Sequence, residues 1–144
     1  MWFSKKEADK SPDKTPKDQV TTKAVSDVAE SIALAHLRTA GLTLLETNYR
    51  TPGRGGGEID LIMKDADGTL VFIEVRQRAS QSHGGAGASI SAVKQKRIIF
   101  AARHYLMRFK TLPPCRFDVV LIHGGVGRSD APAIEWLRLA FDAF

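Results

Sequence analysis

Cysteine occurs once in the 144 residues, at Cys115. That excludes an internal disulfide and leaves no basis for a thiolate zinc site. The four histidines, His36, His83, His104 and His123, are scattered along the chain. No two of them have the spacing of metal ligands, so each reads as a core or surface side chain. No apolar run approaches the roughly 20 residues that span a bilayer. The opening stretch, MWFSKKEADK, lacks the apolar segment of a secretory leader. A cytoplasmic protein with no membrane association is the expectation. Internal repeats are also absent. Charge is plentiful, with 21 Lys and Arg against 16 Asp and Glu, a net of +5. The resulting pI of about 9.6 favours polyanionic partners.

The length suits one domain with a real core. Residues 1–20, rich in Lys, Asp and Pro, are expected to form a flexible polar tail. Residues 21–144 would then form the domain. Val25, Val28, Ala29, Ile32, Ala33 and Leu37 recur at helical spacing, and Gly41 marks the end of that helix. LTLLETNYR reads as a strand and TPGRGGG as a basic loop leading into a hairpin. ASQSHGGAGAS is a small-residue loop, after which Ser91 is placed to cap a helix running to about Phe109. CRFDVVLIH is apolar enough for a strand buried on both faces. AIEWLRLAF begins as a strand and is expected to finish as a short helix. This order predicts an α/β sandwich around a mixed central sheet.

The hairpin, GEIDLIMKDADGTLVFIEVRQR, carries the chemistry. Alternation places Ile59, Leu61 and Met63 on one face with Val71, Ile73 and Val75. Glu58, Asp60 and Ile62 fall on the other face with Phe72, Glu74 and Arg76. A three-residue loop, Ala66-Asp67-Gly68, with Gly68 in the left-handed region, closes the turn between Asp65 and Thr69. That register sets Asp60 against Glu74 and Glu58 against Arg76, the latter as a cross-strand ion pair. Opposed like charges are unfavourable in a sheet. A bound divalent cation, a proton on one carboxyl, or a basic side chain such as Arg76 would each relieve the clash. Asp118, inside an apolar strand, is expected to meet a basic side chain or to mark a strand end. Cys115 is expected to be structural.

GEIDLI followed by VFIEVRQR, KQKR and CRFDVV closely resembles the YraN-like family of small bacterial proteins, over roughly residues 20 to 140. That family is placed in the restriction-endonuclease-like superfamily, beside the Holliday-junction resolvases. The resemblance implies a restriction-endonuclease-like sandwich with the site on the hairpin and helices on both faces of the sheet. It also implies a DNA endonuclease dependent on Mg²⁺ or Mn²⁺, acting on branched or single-stranded DNA. Asp60 and Glu74 match the metal-binding carboxylates, and the Val75 carbonyl the usual backbone ligand. Glu30 matches a carboxylate on the first helix and Gln95 a glutamine on the later helix. Arg50, Arg54, Lys94, Lys96 and Arg97 are candidates for phosphate contacts, and a homodimer follows by analogy with the resolvases. One position departs from the Glu-x-Lys pattern. Arg76 stands where the pattern has Lys, and an arginine stays charged in essentially any site. It therefore has an electrostatic role and cannot act as a general base. Two other readings share these residues: a catalytically silent nucleic-acid-binding module, and a partner-binding domain of a DNA-processing machine.

Overall fold

The computed structural model describes residues 20–78, 90–124 and 131–142, with side chains from residue 27 onward. Residues 1–19 of the expected tail (1–20), the Val25 side chain, the loop 79–89 with His83, and most of the Gly-rich turn at 125–130 lie outside the described residues. Two helices and five strands follow in the order α1 (Val20–Thr39), β1 (Thr43–Arg50), β2 (Glu58–Lys64), β3 (Leu70–Arg78), α2 (Ala92–Leu106), β4 (Cys115–His123) and β5 (Ala133–Phe141). The strands form one sheet in chain order. Neighbours run antiparallel except β3 and β4, which are parallel and joined through α2. The expected mixed α/β sandwich, with a helix on each face, is the one observed.

Each helix covers one face for a sequence reason. Ala29, Ala33 and Leu37 recur every four residues on α1, and small alanines let the helix settle close on the sheet. They bury Leu61, Met63, Val71, Ile73, Val120 and Ile122. On the opposite face Ile98, Ala101, Ala102, Tyr105 and Leu106 of α2 cover Ile62, Leu70, Phe72 and Phe117. Residues 117–122 of β4 are buried throughout, as expected of a strand covered on both sides. At the far end of α2 the Tyr49 hydroxyl lies 2.6 Å from His104 Nδ1, tying that helix to β1.

The hairpin register is the one that the turn chemistry dictates. Leu61 faces Ile73, Ile62 faces Phe72 and Met63 faces Val71. Asp65 N–H donates to the Thr69 carbonyl at 2.9 Å, and Gly68 sits at φ +93°. Four expectations are corrected. Ile59 packs with the α2 cluster rather than with Leu61 and Met63, so strand alternation breaks at Asp60. Glu58 pairs with Arg50 of β1, at 3.5 Å, where Arg76 was the partner expected. The segment from Ala133 to Phe141 is extended to its end, with no terminal helix. Its adjacent apolar residues Trp136 and Leu137 pack on separate core clusters, and beyond them a register shift opposite Phe117 and Val119 leaves Leu139 at a positive φ of 53°. Helix α2 stops at Leu106, three residues short of Phe109.

Candidate active site

The break at Asp60 makes the site. In an unbroken antiparallel ladder the Val75 N–H would donate to the carbonyl of Ile59, since hydrogen-bonded pairs alternate. Here it donates to Asp60 Oδ2, at 2.8 Å. The carboxylate thus stands in for a backbone acceptor and lies between the two strands. Glu74, one residue before Val75, is 8% exposed. The two carboxyls lie close enough for each to bear on the other's titration. Burial first, and then the charge of Asp60, push Glu74 up to about 7. Burial also raises Asp60, against the Val75 N–H and the charge of Lys94.

Lys94 is the side chain that sequence reasoning put elsewhere. Assigned to phosphate contact, it lies with Nζ 3.4 Å from Glu74 Oε2. Ser91 starts this helix as expected, its hydroxyl accepting from the Lys94 N–H at 3.1 Å. Gln95 donates through Nε2 to the Ile90 carbonyl, 2.8 Å away, so its amide is engaged with the entry to α2. One of the three ways of relieving the opposed acids is in place, a basic side chain supplied by α2, and the raised pKa of Glu74 favours a second, a proton on one carboxyl.

Glu30 is half-buried on α1, with the Asn48 side chain acting to favour its charged form. Burial raises its pKa, and Asp60 is the largest charge adding to that rise. It lines a cavity of about 210 Å³ with Asp27, Ser31, Leu34, Thr47, Asn48 and Leu61. Asn48 holds a positive φ of 49°. Asn tolerates that conformation better than most side chains, which is the one sequence signal that could have singled it out. Arg76 is half-buried, two residues beyond Glu74 on β3. Arg50, Arg54, Lys96 and Arg97 are exposed. Among the described residues, no group of three or more His, Cys, Asp or Glu side chains is arranged to hold a metal ion. The site is a pair of carboxylates with Lys94 against it and Glu30 within electrostatic reach.

Gly57 sets how closely α2 approaches. A Cβ there would collide with the Arg97 carbonyl oxygen and lie 3.0 Å from the Ala101 nitrogen and Cβ. Its own N–H donates to the buried Thr51 hydroxyl at 2.7 Å, which pins the loop end. Gly57→Ala is expected to force the helix off the sheet and cost roughly 2–3 kcal/mol, read from the urea midpoint. A loss below about 0.5 kcal/mol, the level of an ordinary surface change, would show that the approach is not tight.

The arrangement defines a mixed α/β sandwich with two carboxylates meeting on the central hairpin. Among the described residues no helix is long and apolar enough to cross a membrane. The chain belongs to the uncharacterised protein family UPF0102, whose family model matches residues 29–122. That span runs from α1 to β4 and contains Glu30, Asp60, Glu74 and Lys94. A UPF0102 protein of Polaromonas naphthalenivorans (strain CJ2) is 66% identical over 153 residues, covering 99% of each chain. One from Polaromonas sp. (strain JS666 / ATCC BAA-500) is 62% identical over 148 residues, again with 99% of each covered. A third, from Paracidovorax citrulli (strain AAC00-1), is 62% identical over 125 residues, covering 87% of each.

Proposed function

We propose that this protein is a Mg²⁺- or Mn²⁺-dependent DNA endonuclease that hydrolyses phosphodiester bonds in branched or single-stranded DNA. The observation that carries the reading is the meeting of Asp60 and Glu74 at the break in the hairpin ladder. Glu74 is buried and Asp60 half-buried, and two neighbouring acids there call for more positive charge than one half-exposed lysine supplies. Their oxygens suit a hard cation, which commonly takes one or two carboxylates and fills its remaining positions with water. The single Cys115 and scattered histidines give no comparable set for a softer ion. When bound, such a cation supplies charge to a phosphate oxygen and acidity to a water.

The chain's own residues do the rest. Asp60 and Glu74 hold the cation, with the Val75 carbonyl as the backbone oxygen that the resemblance implies. Arg76 keeps its proton and adds fixed charge against the phosphate as negative charge builds there. Arg50, Arg54, Lys96 and Arg97 give the backbone of DNA positive ground to lie on, without reading sequence. Glu30, reached through α1, adds a third acidic group near Asp60.

The test is cleavage of linear, branched and single-stranded DNA by the full chain with Mg²⁺ or Mn²⁺. Losing a group that merely orients a ligand costs about 10–100-fold, so Asp60→Asn is expected to remove at least that much activity with the fold intact by circular dichroism. Cleavage that persists in Asp60→Asn, or that needs no cation, would overturn the proposal. The rival with a specific feature in its favour is a silent DNA-binding module, because Arg76 replaces the lysine of the pattern. It predicts salt-sensitive binding that survives Glu74→Ala and no cleavage of any DNA form.

A further inference from the structure

Lys94 stands where a helix does not favour a cation. The first turn of α2 carries no acidic residue, and its N-terminal end holds the positive pole of the helix dipole. The carboxylate pair offsets this cost, for Lys94 Nζ is 3.4 Å from Glu74 Oε2 and its charge also reaches Asp60. The Lys94 side chain is 47% exposed against 10% for Glu74, so the ammonium closes the pair from the solvent side. Three features hold its backbone there: the Ser91 cap, the Gln95 amide on the Ile90 carbonyl, and the approach that Gly57 permits. The flexible stem of lysine leaves the ammonium itself free to move away.

We propose that Lys94 is a tethered counter-ion of this site: it occupies Glu74 in the absence of a divalent cation and competes with that cation for the same carboxylate. Lys94 is then a positioning residue, and the affinity for the cation is set by exchange between the two positive groups. The inference rests on the reading of Asp60 and Glu74 as a cation site.

The experiment is Mn²⁺ binding to the full chain without DNA, measured by calorimetry at pH 8 and low salt. A half-exposed ion pair is worth a modest factor, so Lys94→Ala is expected to bind Mn²⁺ about 5–10-fold tighter than wild type. Lys94→Arg, which keeps the charge, should stay close to wild type. Lys110→Ala, removing an exposed cation beyond the helix, should also leave the affinity alone. A thermal melt adds a readout independent of affinity: Mn²⁺ should raise the Tm of Lys94→Ala more than that of wild type. Unchanged or weaker binding by Lys94→Ala, or an equal effect from Lys110→Ala, overturns the inference while the cation site stands. Wild type that binds Mn²⁺ no better than Asp60→Asn overturns the cation site and the inference together.

Discussion

Glu74→Gln is expected to make the folded protein more stable above pH 7 while removing cation-dependent cleavage. Burial and the charge of Asp60 hold the Glu74 pKa at about 7, above its ordinary value of 4.5. A carboxyl whose folded pKa is raised binds protons more tightly in the folded chain than in the unfolded one. The stability linked to it is therefore fully present below about 4.5, and is lost as pH rises through about 7. The pKa rise converts to an order of 3 kcal/mol, shared with Asp60, which titrates against it. Glutamine has the shape of the protonated acid and no charge to lose. Its chemical-denaturation curves at pH 5 and pH 8 should therefore nearly coincide, whereas wild type should be weaker at pH 8. A variant less stable than wild type at pH 8, or a wild type with no pH dependence over that interval, would contradict the electrostatic account. Gain of stability with loss of activity is the pattern expected where like charges are held together for chemistry rather than for folding.

How far the sequence could be read depended on whether local chemistry or tertiary contact made the decision. The hairpin register was legible because a turn of Asp, Gly and Thr admits few geometries, and Gly68 alone suits the positive φ. The cap at Ser91 was legible for the same reason. The face of Ile59 was not. Alternation assigns it to the side of Leu61, and what overrides alternation is the Asp60 carboxylate accepting the Val75 N–H across the strands. The nearness of the acids at positions 60 and 74 thus follows from the pattern, but the opening of the ladder beyond the Leu61–Ile73 pair does not. The contact of Lys94 with Glu74 was not legible either: a lysine in a basic helix reads as solvated surface, and its half-exposed ammonium meets Glu74 only through the placing of α2 on the sheet. In β5 Trp136 and Leu137 pack on separate clusters and Leu139 bulges beyond them, so the two-residue rhythm is blurred and the doubled apolar residues imitate a helix.

Asp118 carries the second large effect, and it concerns stability alone. Its side chain is fully buried, at 0% exposure. It accepts from Arg116 Nε at 3.1 and 3.2 Å, from Trp136 Nε1 at 2.9 Å and from the Leu139 N–H at 3.1 Å. The basic partner foreseen in the sequence is Arg116, which also reaches Asp65 of the hairpin at 3.0 Å. One carboxylate thus joins β4, the bulge of β5 and, through Arg116, the turn between β2 and β3. Asp118→Ala would leave the Nε–H of a largely buried guanidinium, an indole N–H and a backbone N–H without their acceptor, with Asp65 as the one carboxylate remaining to Arg116. Removing one partner of a buried pair costs about 3–5 kcal/mol, so the urea midpoint is expected to fall by roughly 2 M. Most of that cost belongs to the charge left behind, and a second variant separates it. Arg116→Met combined with Asp118→Leu replaces both charges with apolar volume and should recover part of the loss. A single Asp118→Ala costing less than about 1 kcal/mol, the scale of one ordinary hydrogen bond, would mean that β5 is held by its ladder and apolar contacts rather than by this carboxylate.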